Sequence, residues 1–378
     1  MKRPRILALV LAGGAGSRLK QLTARRAKPA LPFGGVFRLI DFPLSNCMHS
    51  QINDVWVVEQ FQPHALNEHL TNGRPWDLDR THGGLQILPP YQGAPESGWH
   101  QGNADAIYRH RRFIREFDPE VLLVLSADHI YKLDYRDVID AHLQTKAEVT
   151  LVTTEVSPEE ASRFGNLDAD GSGKVTRFDY KPEQAKSQTA TTEVFAYDAK
   201  VLLTVLDELA AQKAKEKPEA EEIALEDFGH ELLPALVQRD GAFAYQLDGY
   251  WRDVGTVDSY HQGHMDLLCA QPSLQLDDAA WPIRTRGQQL LPARIEGSAH
   301  IENSLIAPGC HIAGRVVNSI LSPRVRVEAG AIVENCVLLH HAVVPVKRTL
   351  RYAVVDENIR VEQNTEDKEI TIIGHEEP

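Results

Sequence analysis

The sequence predicts an α/β protein: a mostly parallel, helix-covered sheet followed by a C-terminal left-handed parallel β-helix. Three observations carry this. An apolar run, Ile6–Leu11, leads into a Gly-rich turn. Further apolar runs alternate with amphipathic stretches to about residue 262. From about residue 293, small and branched residues recur every six positions.

Ile6–Leu11 reads as a buried strand. In the loop that follows, Gly13, Gly14 and Gly16 let the backbone turn tightly and aim several N–H groups at one point. Such a nest suits phosphate, and Arg18 adds a planar cation beside it. The loop lacks the third glycine of the dinucleotide fingerprint and the Gly-Lys-Ser/Thr ending of a Walker A loop. Taken alone it is an ordinary strand-to-helix turn.

The runs Asp54–Val58, Val121–Leu125 and Val149–Thr153 predict buried parallel strands. Asn103–Phe117, Tyr135–Thr145 and Ala199–Ala211 predict helices between them. In such a sheet ligands bind at the carboxyl ends of the strands, where the glycine loop and Asp128 fall. Asp168-Ala-Asp-Gly-Ser-Gly173 imitates a calcium loop, but its flanks read as strands, so a hairpin turn is expected. Lys213–Glu222, charged and carrying Pro218, predicts an exposed loop or frayed helix end. Ile295, Ile301, Ala307 and Ala313 mark the six-residue step, and Val325, Val327, Ile332 and Val337 continue it loosely. His311, His340 and His341 in this region read as surface or core residues.

The 378 residues suggest two or three domains, with 43% hydrophobic and 25% charged residues. A net charge of −13 argues against a general nucleic-acid or anionic-membrane surface. Arg18, Arg25, Arg26 and Lys28 form one local basic patch for anionic substrates. Cys47, Cys269, Cys310 and Cys336 show no Cys-x-x-Cys spacing, which predicts reduced, buried thiols in a cytoplasmic protein. No apolar stretch reaches membrane-spanning length, and a signal peptide's long apolar region is missing from the first residues.

After the glycine loop come Leu22-Thr-Ala-Arg-Arg-Ala-Lys-Pro-Ala30, Phe33-Gly-Gly and Phe37-Arg-Leu-Ile-Asp-Phe-Pro-Leu-Ser-Asn-Cys47. Together with Asp128-His-Ile-Tyr-Lys-Leu-Asp-Tyr135 and Tyr250-Trp-Arg-Asp-Val-Gly-Thr256, these strings resemble the signature of the nucleotide-sugar pyrophosphorylases. Within that family they are most similar to the bacterial branch that makes ADP-glucose for glycogen. The resemblance covers nearly the whole chain and is densest at residues 7–47, 126–135 and 250–256. It implies a Rossmann-like nucleotidyltransferase sheet over residues 1–265, a linker over 266–292 and the β-helix over 293–378. It also implies an enzyme joining ATP to α-glucose 1-phosphate, with Mg²⁺, sugar-phosphate effectors and a homotetrameric assembly.

Nucleotidyl transfer needs an α-phosphorus in line with the attacking sugar phosphate, a neutralised pyrophosphate leaving group and a divalent cation. By resemblance Asp128 and Asp253 hold Mg²⁺, which takes one or two carboxylates plus phosphates and water. Arg18, Lys28 and Asp128 are the implied catalytic residues, the two cations lying along the triphosphate. Gly13, Gly14, Gly16, Gln60, Gly102 and Asp105 fall on nucleotide-binding positions. Lys181, in Phe178-Asp-Tyr-Lys-Pro182, matches the lysine that grips the sugar phosphate.

The chain also departs from the family pattern. Tyr180 replaces the glutamate of Glu-Lys-Pro, and Glu193 stands where glycine is expected. Either the carboxylate has moved across the sugar pocket, or the pocket is altered for glucose 1-phosphate. Tyr180, Lys181 and Glu193 are the implied substrate-binding set. Val36 replaces an effector-binding lysine, and Trp99-His-Gln-Gly102 replaces Trp-Tyr-Arg-Gly. Asp227-Phe-Gly229 matches a family helix start rather than a kinase motif. Two other functions stay open: a pyrophosphorylase for another sugar 1-phosphate or nucleotide, and a non-catalytic regulatory paralogue.

Overall fold

The computed structural model describes residues 4–14, 16–91, 98–216, 224–287, 289–366 and 369–375. β1 (Ile6–Ala12) lies near the middle of a nine-stranded sheet. β2 (Asp54–Glu59) runs parallel beside it, and β3 (Gly84–Leu88) runs parallel beyond β2. On the other side β4 (Val121–Ser126) is also parallel to β1. Next to β4 the direction reverses. β9 (Thr189–Asp198) is antiparallel to β4, to β6 (Val149–Glu155) and to β7 (Gly165–Ala169). β10 (Ala242–Gln246) pairs parallel with β6, and β8 (Val175–Tyr180) pairs antiparallel with β7. Only β8 and β9 therefore run against the common direction.

Period-two alternation decides which side chains go to which face. Leu7 and Leu9 of β1 pack with Leu122, Val124 and the helices α3 (Asn103–Phe117), α5 (Ala199–Glu216) and α6 (Leu232–Gln238). Ala8 and Val10 pack on the other face, with Leu123, Leu125 and the helices α1 (Asp41–His49), α2 (Pro63–Leu70) and α4 (Tyr135–Thr145). Helix α5 runs past the expected Ala211 to Glu216, so the first part of the charged segment is helical; residues 217–222 of it lie outside the described residues. The calcium-like segment is the turn of the β7–β8 hairpin, where Ser172 and Lys174 backbone N–H groups bond Asp170 Oδ1.

The C-terminal region is a parallel β-helix with three faces, stacked through parallel pairs such as Ile295–Ile312–Val327–Val344. Arg294 pairs with His311 and His311 with Arg326, so successive rungs are 17 and 15 residues long. Those unequal rungs are why the six-residue step fades along the sequence. The two domains share a core: Leu19, Leu22, Phe33 and Phe42 pack with Ile320, Val337, Leu339 and Val354. Between them, the segment around Trp281 is strapped to α1, with Trp281 Nε1 donating to Asn46 Oδ1 at 2.9 Å and Arg284 N donating to Ser45 Oγ at 2.8 Å.

Cys47, Cys310 and Cys336 are buried and free, but Cys269 is exposed, contrary to expectation, because it follows the end of helix α7 (Val257–Asp266) on the surface. Among the described residues, no helix is long and apolar enough to cross a membrane.

Candidate active site

The site begins at the carboxyl end of β4. That strand is buried along its whole length, and Asp128 follows it two residues on. β5 (His129–Tyr131) comes next and pairs antiparallel with β11 (Trp251–Asp253), which sets Asp253 opposite His129. This short ribbon brings the two aspartates together. Lys28 reaches them from a single 3₁₀ turn, Lys28–Ala30, where Pro29 supplies a helical φ. Lys28 Nζ lies 2.6 Å from Asp128 Oδ2 and 3.1 Å from Asp253 Oδ1, and the residue is only 7% exposed. His129 Nε2 is 3.7 Å from Oδ1 of both aspartates. Its Nδ1 faces the Thr192 carbonyl at 2.9 Å and therefore carries a proton.

Burial and charge oppose each other here. Burial pulls the Lys28 pKa down, but Asp128 and Asp253 outweigh it and keep the ammonium above its ordinary range. Burial pushes both carboxyls up, but Lys28 and then His129 hold them below the usual carboxylate range. The result is a buried, ionised triad. Among the described residues, no group of three or more His, Cys, Asp and Glu side chains could hold a metal by itself. Two ionised carboxylates that already hold a cation between them nonetheless suit a divalent cation, a kind of ion bound through one or two carboxylates together with phosphates and water.

Arg18 lies beside Gly255, next to the cluster. A Cβ at Gly255 would lie 3.1 Å from Arg18 Nη2 and 2.8 Å from Asp253 Oδ2, so glycine leaves the arginine room beside the cluster. Sequence reasoning missed Arg163, whose Nη2 lies 3.3 Å from Asp253 Oδ2. It also gave no role to His129, although the motif contains it.

Within the glycine loop only Gly16 is required by conformation. Its φ is +68°, and a Cβ there would meet Thr23 Cγ2 at 2.9 Å. Gly14 faces open space, and Gly13 lies beside Gln60. Gln60 clamps the next loop: its Oε1 accepts from His100 N at 2.6 Å and its Nε2 donates to His100 O at 3.1 Å. Gly102 is extended, and a Cβ there would sit 2.4 Å from the Glu226 carbonyl carbon. Asp105 does not face the cleft as expected. It is fully buried, bonded by Gln101 N, Leu225 N and Arg109 Nε, so its oxygens hold the loop instead. Arg26 likewise leaves the basic patch: it is buried against Asp356 of the β-helix at 2.8 Å.

Lys181 Nζ donates to Tyr180 OH at 2.8 Å, and that hydroxyl donates to Asp227 Oδ2 at 3.2 Å. Asp227 Oδ1 accepts from Asn103 N at the start of α3. Glu193 sits at the register shift of β9 with φ +54°, a left-handed conformation that explains why glycine is expected there. Burial raises its pKa; His129 and Lys181 oppose the rise, while Asp128 and Asp253 add to it. Glu193 therefore feels both the aspartate pair and Lys181.

A family model described as nucleotidyl transferase matches residues 7–269, and one described as a GlmU-like C-terminal hexapeptide region matches residues 290–371. The chain is 41% identical over 331 residues to a glucose-1-phosphate adenylyltransferase of Thermotoga neapolitana, covering 87% of this chain and 76% of the relative. It is 40% identical over 334 residues to the same-named protein of Clostridium acetobutylicum, covering 88% and 86%. With that of Lachnospira eligens it shares 42% over 329 residues, covering 87% and 75%. The chain thus belongs to the nucleotidyl transferase family and, within it, to the glucose-1-phosphate adenylyltransferases.

Proposed function

We propose that this protein transfers the adenylyl group of ATP to α-D-glucose 1-phosphate, releasing pyrophosphate and giving ADP-glucose for glycogen or a related α-glucan in the cytoplasm. The observation that carries the reading is the Lys28 ammonium held between ionised Asp128 and Asp253 at the carboxyl end of the sheet. Enzymes of this family use a divalent metal. We assign it as Mg²⁺ on Asp128 and Asp253, where it would neutralise phosphate oxygens as a Lewis acid.

The chain's own groups account for the rest. The sugar phosphate is already anionic, so transfer needs no strong base. Carboxylates with depressed pKa values are poor bases, and the pair serves electrostatically. Lys28 and Arg18 stabilise the charge that develops on the leaving pyrophosphate. The glycine loop receives the phosphates through backbone N–H groups, and Gln60 shapes the base side by holding His100. Lys181 takes the sugar phosphate, and Tyr180 and Glu193 face the sugar hydroxyls. Gly102 and Asp105 act through the loop they hold. Sugar-phosphate effectors and a homotetramer, both implied by the resemblance, belong to the same proposal.

A second reading, transfer to a different sugar 1-phosphate, draws on the Tyr180 and Glu193 substitutions. Pyrophosphate release with Mg²⁺, measured across ATP, UTP, dTTP and GTP against several sugar 1-phosphates, decides. Selective turnover of ATP with glucose 1-phosphate supports the first reading, and preference for another sugar supports the second. Absence of turnover with every pair would overturn both.

A further inference from the structure

The turn that carries Lys28 is gripped from the β-helix. Arg26, two residues before Lys28, is 6% exposed, with Nη2 at 2.8 Å from Asp356 Oδ1 and 3.5 Å from Glu357 Oε2. Ala30, two residues after Lys28, accepts a hydrogen bond on its carbonyl from Arg38 Nη1, and Arg38 Nη2 lies 3.7 Å from Glu357 Oε1. His340 Nδ1 lies 3.3 Å from that same oxygen. One carboxylate of the β-helix thus engages the guanidiniums at both ends of the turn. Burial alone would raise the Glu357 pKa, but His340, Arg26 and Arg38 bring it down to about 2, so it is an anion at any working pH. Arg26, Arg38, His340 and Glu357 line a cleft of about 470 Å³ between the domains.

We propose that Glu357 is a positioning residue for nucleotidyl transfer: by holding Arg26 and Arg38 it fixes the Lys28–Ala30 turn and so sets the Lys28 ammonium between Asp128 and Asp253. This rests on the proposed role of Lys28. Placement matters because a shift of about 1 Å in a reacting or stabilising group costs on the order of 10²-fold in rate. The two arginines are not equally dependent on Glu357. Arg26 keeps Asp356 as a partner, whereas Arg38 has Glu357 as its ion-pair partner among the described residues. Removing Glu357 therefore loosens the Ala30 end of the turn while Asp356 and the shared apolar core keep the domains docked.

The test uses the full chain with Glu357→Ala and Glu357→Gln. Both should melt cooperatively and lose about 10- to 100-fold in kcat, with KM for ATP and for the sugar 1-phosphate changed less than about threefold. Added acetate or inorganic phosphate should restore activity saturably in Glu357→Ala, where a carboxylate-sized space opens. Neither ion should help Glu357→Gln, whose amide fills that space. Unchanged kcat in a folded variant, or a loss without rescue, overturns the proposal. If Glu357→Ala does not fold, Arg38→Met replaces it. It should reproduce the Glu357→Gln loss, and the double variant should be no worse than either alone; additive losses count against the proposal.

A second readout does not depend on turnover. Acetic anhydride labelling of Lys28, followed by peptide mass spectrometry, should be about 10-fold faster in Glu357→Gln than in the unsubstituted protein. Equal labelling rates overturn the positioning role. Absence of turnover in the unsubstituted protein would overturn the functional reading instead, leaving the labelling comparison intact.

Discussion

Lys28 Nζ lies 2.6 Å from Asp128 Oδ2, a buried contact between the signature turn and the end of a central strand. It makes Asp128 the partner whose loss is felt in chemistry before it is felt in folding. Asp128→Asn keeps the shape and the Ser126 contact but removes a full charge from the cluster. Turnover should fall by about 10²–10³ or more while thermal melting stays cooperative. Pyrophosphate release and circular dichroism on one sample check this, and near-normal turnover would sink the assignment.

The same cluster fixes where pH should matter. Asp128 and Asp253 have folded pKa values below their unfolded ones, so the stability they contribute is present above about pH 4 and is lost only as pH falls through the depressed values. They stay ionised across neutral pH, and an acid limb of kcat between about pH 5 and 7 should not come from them. Lys28→Met removes the cation that holds both carboxylates down, so their pKa values should rise. The variant's residual activity should then fall away at a higher pH than in the unsubstituted protein. A pH–rate profile with identical acid limbs in the two proteins would contradict this.

Glu193 has the opposite sign. Its folded pKa is raised, mainly by burial, so the protonated form is favoured in the folded state. Ionising it as pH rises through that value weakens the fold. Glu193→Gln should therefore raise the melting temperature at pH 8 by about 1–3 °C, and the gain should vanish below about pH 4. Melting curves at the two pH values test this. If Glu193 also faces the sugar, the same variant should lose affinity for glucose 1-phosphate and not for ATP.

Much of this site could be read from the chain, and the remainder was hidden for physical reasons. The strands ending near Ala12 and Ser126 announce themselves as buried apolar runs, and helices such as Asn103–Phe117 fall where periodicity puts them. Asp128, Asp253 and Lys28 are visible because each sits inside a long, specific string. Contacts between distant segments leave no local trace. Arg26 reads as one more basic residue until the β-helix brings Asp356, 330 residues away, against it. Asp105 reads as a ligand residue because motif position does not reveal which way a carboxylate turns. Arg163 lies outside every motif, and only the fold carries it to Asp253. The β-helix is legible for little more than one rung, from Ile295 to Ala313, and then blurs, because turns of unequal length shift the six-residue step.

Gly229 carries a prediction that sequence alone does not suggest. A Cβ at this position would lie 1.9 Å from Tyr180 Cδ2, so the tyrosine ring occupies the space that any other residue would need. Gly229→Ala must displace Tyr180, which breaks its bonds to Asp227 and Lys181. Overpacking of this kind should destabilise the fold by about 1–3 kcal/mol and raise KM for the sugar 1-phosphate more than KM for ATP. Adding Tyr180→Ala should recover most of the stability but not the sugar affinity. Equal KM effects on both substrates would show that Tyr180 does not serve the sugar side.

The Arg26–Asp356 pair should behave as a buried ion pair between domains, with both side chains under a tenth exposed. Asp356→Ala leaves the guanidinium without its nearest anion, and Arg26 Nη1 already has no hydrogen-bond partner. Breaking one side of such a pair typically costs about 3–5 kcal/mol, whereas replacing both charges by apolar groups of similar size is often close to neutral. Asp356→Ala should accordingly lower the urea midpoint strongly, and Arg26→Met/Asp356→Leu should regain most of the loss. Turnover separates stability from alignment. The double variant restores docking but leaves Glu357 without Arg26, so its kcat should stay below that of the unsubstituted protein even where its midpoint matches. Full recovery of both would mean that the pair only joins the domains and takes no part in setting the Lys28 turn.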